Sequence, residues 1–146
     1  MQLYLLKKNL IYNIKNKMED CIFCKISKEV IPSTKVYEDS EFFAFMDINP
    51  VAKGHTLLIP KAHSRWMHET EDEVVAKTFI VAKNLMNKIR VNLPCDYVQL
   101  TVIGEEVAHF HVHLIPRYTE DKVVQWQHKT YSSQLEMEDY AKKITG

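Results

Sequence analysis

Apolar residues recur along the chain in short runs that are separated by turn-forming residues. Runs of this kind, rich in aromatic and β-branched side chains, are typical of half-buried strands. Asn49-Pro50 and Gly54 separate the second run from the third, and Pro60 ends the third. The first three runs are close enough in sequence to pair as an antiparallel meander. The pattern predicts five strands, at residues 35–39, 41–47, 55–60, 96–104 and 108–118.

Apolar residues with helical spacing follow the third predicted strand. Thr70 and Glu73 have the spacing of a capping box, in which two side chains satisfy free backbone N–H groups at a helix start. Ser133 and Glu136 form a second such pair and predict a short helix through about Lys143. The first helix is predicted to have about five turns. Its core-facing stripe comprises Val74, Val75, Thr78, Phe79, Ala82, Leu85, Met86 and Ile89.

The predicted elements define an α+β domain, with about five strands in one sheet, one long helix and shorter helices. The chain has 146 residues, which is enough for one ordinary domain. Residues 1–17 are rich in lysine, contain no acidic residue and lack the longer apolar run and cleavage site of a signal peptide. We therefore expect an N-terminal extension of undefined role at 1–17 and a single domain at 18–146.

Charge and cysteine content disfavour several classes of protein. Lys plus Arg and Asp plus Glu both number 19, and this balance disfavours nucleic-acid binding through phosphate contacts. No apolar stretch approaches the ~20 residues that span a bilayer. Three cysteines, an odd number, disfavour a secreted disulfide scaffold. We expect a cytoplasmic protein that binds neither nucleic acid nor membranes.

His109, His111 and His113 form the most informative pattern in the chain. Side chains alternate between the two faces of a strand, so these imidazoles are expected on one face, roughly 6.5–7 Å apart. Phe110 and Val112 are then expected in the core. A half-buried strand can carry such a row by accident. Imidazole titrates near neutral pH and serves as nucleophile, acid, base or ligand, so we favour a functional site.

Cys21 and Cys24 form a C-x-x-C pair. Alone, this pair is compatible with half of a zinc site, with a redox pair or with two unreactive thiols. A redox pair is expected after a strand in a βαβ unit, whereas the basic extension precedes Cys21. A zinc site needs two further ligands. Spacing alone does not choose among the histidines at positions 55, 63, 68, 109, 111, 113 and 128.

Asp47 ends an apolar strand and precedes a turn. A turn or cap role is the more common one for such an aspartate. At the mouth of an apolar pocket, the carboxylate could instead accept hydrogen bonds from ribose hydroxyls. The side chains that could then surround a base are Phe23, Phe45 and Ile48. The cations interpreted as solvated surface charges, rather than as phosphate ligands, are Lys53, Lys61 and Arg117.

The histidine pattern and several other segments resemble one known family. Residues 109–115 read H-φ-H-φ-H-φ-φ, where φ is apolar, and this is the signature of the histidine triad superfamily of nucleotide hydrolases and transferases. The resemblance to its small nucleoside phosphoramidate hydrolases is nearly continuous from about Met18 to Tyr118. It includes CIFCKI (21–26), VIPSTKVYED (30–39), AFMDINP (44–50), GHTLLIPKAH (54–63) and HLIPR (113–117). The resemblance implies a five-stranded antiparallel sheet, paired in a homodimer into a ten-stranded sheet.

The resemblance also implies roles for individual residues. His111 would attack the α-phosphorus of a purine nucleotide derivative and form a nucleotidyl-histidine that water then cleaves. His113 would hydrogen-bond phosphate oxygens, and His55 would support the orientation of the nucleophile. Asp47 would hold the ribose hydroxyls. The implied base pocket comprises Phe23, Ile26, Phe45 and Ile48.

Several bacterial-type relatives carry a structural zinc ion. The resemblance assigns its ligands here to Cys21, Cys24, His63 and His109, all of suitable residue types. The implied site is a closed Cys₂His₂ centre that ties the N-terminal segment to two strands. It would leave His111 free for chemistry.

The loop before the triad departs from the family pattern. Members with well-understood activity have an Asn on the preceding strand and a G-Q-[ST] segment just before the triad, whereas this chain has a shorter loop without that Asn. Glu105 stands at the Gln position and Glu106 at the Ser or Thr position. A buried, unscreened carboxylate facing an α-phosphate repels it. Either Glu106 turns away from the substrate, or it binds a cationic leaving group.

The resemblance therefore favours an enzyme that cleaves nucleoside 5′-phosphoramidates through His111. A dinucleoside polyphosphate hydrolase is the alternative within the same superfamily. The altered loop also permits a weakly catalytic nucleotide-binding protein. A structural zinc is the one expected cofactor, and it is not needed for the chemistry.

Overall fold

The computed structural model describes residues 20–120 and 127–146, which form a five-stranded sheet with three α-helices. The strands are β1 (Lys35–Glu38), β2 (Phe42–Met46), β3 (Thr56–Pro60), β4 (Tyr97–Thr101) and β5 (Val112–Arg117). The helices are α1 (Ile22–Ser27), α2 (Asp72–Asn92) and α3 (Gln134–Thr145), and a short 3₁₀ helix spans Met67–Glu69. The predicted α+β class is confirmed.

The sheet is antiparallel throughout, in the order β1-β2-β3-β5-β4. Its first three strands form the predicted meander. β3 then pairs with β5, and Leu57 of β3 lies opposite His113 of β5. This non-sequential pairing brings the last triad histidine next to the strand that follows His55. β4 is left at the edge of the sheet.

The two faces of the sheet are covered by different parts of the chain. On β2, Phe42, Ala44 and Met46 belong to the main core, whereas Phe43 and Phe45 belong to a second cluster. This alternation is the period-two pattern of a strand that is buried on both faces. Helices α2 and α3 contribute to the main core, and α1 contributes to the second cluster. The helix residues buried in these clusters are Ala82, Leu85, Ile89, Met137, Ala141, Ile144, Phe23, Cys24 and Ile26.

All five strands are shorter than predicted, the first three by one or two residues and the last two by four or five. The predicted strand at 108–118 begins only at Val112, because the Phe110 N–H donates to the Ser64 carbonyl (2.7 Å) instead of to a neighbouring strand. The predicted strand at 96–104 spans only Tyr97–Thr101. Side-chain alternation continues beyond the hydrogen-bonded ladder, since Phe110 still packs in the main core while His109 and His111 contact Phe23 of the second cluster.

The predicted capping box of the long helix is wrong. The helix starts after Glu71, which makes no side-chain cap. Thr70 ends the 3₁₀ helix instead, and its hydroxyl donates to the Trp66 carbonyl (2.9 Å). The second box is confirmed in part, because the Ser133 hydroxyl accepts from the Glu136 N–H (3.1 Å). The Glu136 carboxylate, however, accepts from the Ser132 N–H (2.6 Å), one residue earlier than predicted.

Within the described residues, no helix combines the length and the apolar character needed to cross a membrane. The predicted extension at 1–17 lies outside these residues. The division of the chain into an extension and a domain beginning at 18 therefore stays a prediction, as does the cytoplasmic location.

Candidate functional site

A cavity of about 850 Å³ lies beside α1. Its walls come from α1, the end of β2, the loop before the triad and the first turns of α3. The volume is within the usual range for small-molecule sites. The structure places all but one of the predicted catalytic and substrate-binding residues on its walls, namely Phe23, Ile26, Phe45, Asp47, Ile48, Glu106, His111 and His113. The exception, His55, is fully buried behind His113.

His111 lies immediately before β5, with its ring against the cavity. Its Nδ1–H donates to the His109 carbonyl (2.6 Å). A carbonyl oxygen only accepts, so this contact assigns the proton to Nδ1 and leaves the lone pair on Nε2. Phe23 packs edge-on against the ring, with 5.1 Å between centroids. Burial lowers the pKa of His111, so the ring is mainly neutral at pH 7 and offers a free lone pair.

His55 and His113 form a hydrogen-bonded chain that starts at the backbone. The Val51 N–H donates to His55 Nδ1 (3.1 Å), which places the ring proton of His55 on Nε2. His55 Nε2 then donates to His113 Nδ1 (2.9 Å). The proton of neutral His113 is thereby assigned to Nε2. Burial lowers the pKa of His55 to about 3 and that of His113 to about 4, so both rings are neutral at pH 7.

Asp47 follows β2, and the turn after it orients its carboxylate. Oδ1 accepts from the Asn49 N–H (2.8 Å), and Oδ2 lies 3.6 Å from His55 Nδ1. Burial raises the pKa of Asp47, while His128 and His111 act in the opposite direction. The carboxylate thus serves both as the turn aspartate that the sequence favoured and as an acceptor on the cavity wall.

Apolar side chains form another part of the cavity. Phe23 and Phe45 meet edge-on, with 5.4 Å between ring centroids. Ile26 is buried, whereas Ile48 is 74% exposed at the rim. The sequence did not indicate the other apolar lining residues, which include Ile22, Ile31, Ile103 and Val107. These apolar walls can pack against the faces of a planar aromatic group such as a nucleobase.

The four predicted metal ligands converge beside the cavity. Cys21, Cys24, His63 and His109 each offer one ligand atom, and these atoms all lie within 4.8 Å of one another. His109 Nδ1 lies 3.4 Å from Cys21 Sγ, 3.5 Å from Cys24 Sγ and 3.3 Å from His63 Nδ1. Tetrahedral zinc at ordinary bond lengths separates its ligand atoms by about 3.3–3.8 Å. The arrangement therefore suits a four-coordinate zinc ion.

A second contact prepares His109 for this role. Its Nε2–H donates to the Pro60 carbonyl (2.8 Å), which leaves the Nδ1 lone pair facing the two cysteines. Such a hydrogen bond is the usual way in which proteins orient a histidine ligand. The same residue also fixes His111 through its carbonyl. His109 thus connects the candidate metal site to the candidate nucleophile.

Carboxylates dominate the charge of the cavity. Its described lining residues include no lysine or arginine, and the acids among them are Asp47, Glu105, Glu106 and Glu138. Glu106 acts electrostatically on both Asp47 and His111, which places it near the candidate nucleophile. Lys53 and Lys61 form ion pairs with Glu136 and Glu38 instead.

Arg117 corrects one interpretation of the sequence. It is buried, not a solvated surface charge, because β5 lies inside the sheet between β3 and β4. Its Nε has no hydrogen-bond partner among the described residues. Arg117 is nevertheless absent from the described cavity lining, so it is not placed as a phosphate ligand there.

The C-terminal part of the chain contributes residues that the sequence did not assign. His128, Gln134, Met137 and Glu138 all line the cavity. They reach it through contacts far apart in sequence, such as the hydrogen bond from Gln134 to Thr34 (3.0 Å). No local pattern marks such contacts, although the concentration of histidines in the chain was a signal that could have drawn attention to His128.

The fold and the row of inward-facing histidines define a histidine triad domain, and comparison with known proteins supports this class. The sequence model of the HIT domain family matches residues 28–120. The chain is 40% identical over 126 residues to Protein hit of Bacillus subtilis, covering 83% of this chain and 87% of that protein. It is 40% identical over 112 residues to adenosine 5′-monophosphoramidase HNT1 of Saccharomyces cerevisiae, covering 73% and 69%.

A solved structure agrees with these sequence matches. The crystal structure of a Zn-bound histidine triad family protein from Mycobacterium smegmatis matches with a TM-score of 0.79 and 28% identity, covering 88% of this chain and 92% of that chain. The chain belongs to the HIT family.

Proposed function

We propose that this protein hydrolyses nucleoside 5′-phosphoramidates, or related α-phosphate derivatives, through a nucleotidyl-histidine intermediate on His111. The main support is the hydrogen bond from His111 Nδ1 to the His109 carbonyl, which leaves Nε2 unprotonated at the cavity wall. The name of the yeast relative, an adenosine 5′-monophosphoramidase, supports the same reaction class.

In the proposed complex, the cavity holds the three parts of a nucleotide separately. The base lies among Phe23, Phe45 and their apolar neighbours, and Ile26 and Ile48 complete this pocket. The ribose lies at Asp47, whose carboxylate accepts a hydrogen bond from a ribose hydroxyl. The α-phosphate accepts from His113 Nε2–H, and His55 is a positioning residue because it fixes that proton through His113 Nδ1.

The chemistry then proceeds in two displacements. The Nε2 lone pair of His111 attacks the α-phosphorus, and the phosphorus–nitrogen bond breaks with its electron pair moving to the amine, which takes up a proton from solvent water. A water molecule next attacks the phosphorus and gives up one proton to solvent, and the phosphorus–Nε2 bond breaks with its electron pair returning to Nε2, which releases the nucleoside monophosphate and regenerates His111. Covalent capture divides one difficult displacement into two easier ones.

The charge of the cavity favours a phosphoramidate over a dinucleoside polyphosphate. A polyphosphate bridge would bring several negative charges into a cavity whose described walls carry four carboxylates and no lysine or arginine. A cationic amine would instead be attracted. We therefore propose that Glu106 binds a leaving group that carries an ammonium, and this is the second of the two roles that the sequence left open.

Steady-state kinetics test this proposal directly. We expect kcat/KM for an adenosine 5′-phosphoramidate of an alkyl diamine to exceed that for a diadenosine polyphosphate by at least about 10-fold. The reason is that the interaction free energies of an opposite-charge pair and a like-charge pair at short distance differ by more than about 1.4 kcal/mol. Preference for the dinucleotide would overturn the assignment. Tight nucleotide binding without turnover of either compound would instead establish the weakly catalytic binding protein.

The contribution of Glu106 is measured with a neutral substrate of the same length. Glu106→Ser is expected to reduce the preference for the ammonium-bearing amine over its methyl-terminated counterpart by about 3-fold or more. Glu69→Ser, an exposed site outside the described cavity lining, is the matched control and should leave that preference unchanged. An unchanged preference in Glu106→Ser would show that Glu106 turns away from the leaving group.

We also propose a structural zinc ion held by Cys21, Cys24, His63 and His109. The donor set and its spacing fit a closed tetrahedral site with no open position for substrate. When bound, the ion supplies a crosslink between α1, the segment after β3 and the segment before β5. The chain's own residues carry out the reaction.

A homodimer is proposed from the family resemblance. Among the described strands β4 lies at the edge of the sheet, where a second copy of the chain could add a strand, and Tyr97 at its start is 45% exposed. Helix α2 also exposes Ile80 and Val91. Light scattering at micromolar concentration is expected to give twice the mass of the chain, and Tyr97→Lys should shift the equilibrium towards monomer. A monomer mass for the wild type throughout that range would refute the dimer.

A further inference from the structure

Residues 127–131 run alongside the loop that follows Asp47, far from it in sequence. Hydrogen bonds at three positions hold these two segments together. The first two connect His128 Nδ1 to the Asn49 carbonyl and the Lys129 N–H to the Pro50 carbonyl, each at 2.6 Å, and the third connects the Gly54 N–H to Tyr131 Oη at 3.0 Å. The His128 ring is therefore held at a defined place on the cavity wall.

Asn49 links His128 to Asp47. Its N–H donates to Asp47 Oδ1 (2.8 Å), and its carbonyl accepts from His128 Nδ1 (2.6 Å). Both side chains line the cavity. One residue thus anchors both the carboxylate and the imidazole on this part of the cavity wall.

The anchored ring offers an acceptor to the cavity. Because the Asn49 carbonyl can only accept, the proton of neutral His128 is on Nδ1 and the lone pair is on Nε2. His128 and Asp47 are both hydrogen-bonded to the backbone of Asn49, so His128 belongs to the Asp47 end of the cavity.

A ribose presents two adjacent hydroxyl donors, at the 2′ and 3′ positions. We propose that His128 is a second ribose-recognition residue, whose Nε2 accepts from one hydroxyl while the Asp47 carboxylate accepts from the other. This assignment rests on the proposed nucleotide-binding function. It makes the C-terminal part of the chain responsible for selecting ribonucleotides over nucleotides that lack one hydroxyl.

Calorimetric binding of AMP, 2′-deoxy-AMP and 3′-deoxy-AMP tests the proposal without requiring turnover. His128→Phe keeps an aromatic ring but removes both the Nε2 acceptor and the Nδ1–H donor to Asn49, and His128→Gln restores an acceptor and a donor on a side chain of similar reach. Lys129→Ala is the matched control, because Lys129 contacts the loop through its backbone N–H, which alanine retains. Thermal unfolding of each variant verifies that it is folded.

The wild type is expected to bind AMP about 3- to 10-fold more tightly than the deoxynucleotide that lacks the hydroxyl group donating to His128. This is the effect expected from the loss of one hydrogen bond. His128→Phe should abolish that difference and keep the discrimination due to Asp47. His128→Gln should recover part of the difference, and Lys129→Ala should match the wild type.

The possible failures are distinguishable. Equal weakening of all three nucleotides in His128→Phe would place His128 at another part of the ligand and overturn the ribose assignment. Unchanged discrimination in that variant would also overturn it, while the proposed function would stand. Absence of AMP binding to the wild type would instead refute the proposed function itself.

Discussion

His111→Ala is expected to lower kcat/KM for an adenosine 5′-phosphoramidate by at least about 10³-fold, because the variant has no Nε2 lone pair to attack phosphorus. Initial rates of AMP release, measured for the wild type and for His111→Ala, give the two values of kcat/KM. Binding should change much less, since the base and ribose contacts proposed for Phe23, Phe45 and Asp47 do not involve the imidazole. The loss should therefore appear in kcat far more than in nucleotide affinity.

Two measurements separate this effect from unfolding. AMP affinity by calorimetry is expected to stay within about threefold of the wild type. His68→Ala is the matched histidine variant, because His68 is exposed, lies outside the described cavity lining and stacks on Trp66. Its activity should equal that of the wild type. Activity of His111→Ala within tenfold of the wild type would exclude His111 as the nucleophile.

Loss of the proposed zinc ion is expected to have the largest effect on stability. Cys24→Ser removes one of two thiolate ligands, so the zinc content should fall from near one ion per chain to a small fraction. A ligand at a thousand times its Kd stabilises the folded state by about 4 kcal/mol, so the midpoint of thermal unfolding should fall by about 10 °C or more.

Cys95→Ala is the control for this measurement. Cys95 is also buried, but it belongs to the main core and not to the metal-ligand cluster. Its variant should keep its zinc and lose only the stability expected of a small core cavity. Elemental analysis that finds no zinc in wild-type protein purified without chelators would contradict the site, as would full zinc retention by Cys24→Ser.

The sequence predicted the parts of the fold that depend on local pattern. The segments that became β1, β2 and β3 were predicted with their correct pairing, because apolar runs and the turns at Asn49-Pro50 and Gly54 specify both strands and connections. The start of α2 was wrong because Thr70 ends a 3₁₀ helix, and a sequence pattern does not show that its hydroxyl is already engaged. The beginning of β5 was misplaced because side-chain alternation persists where the ladder has stopped.

For the candidate site, too, the sequence predicted some residues and missed others. The motif resemblance predicted His111 and His113 as site residues and four others as metal ligands, and the structure brings the members of each group together. The resemblance also predicted that Asp47 binds the ribose, although the local sequence alone favoured a turn or cap role for this residue. The positions of Glu138 and His128 on the cavity wall could not be predicted, because these residues reach the cavity through tertiary contacts. The hydrogen bond between His128 and Asn49, for example, joins residues 79 positions apart.

The covalent intermediate is the central claim, and intact-protein mass spectrometry after brief mixing with an adenosine 5′-phosphoramidate tests it most directly. We expect wild-type protein to gain the mass of one adenylyl group, fragmentation to place that mass on His111, and His111→Ala to gain none. Turnover by the wild type without any adduct at the shortest times, or the same adduct on His111→Ala, would contradict a nucleotidyl-histidine at His111.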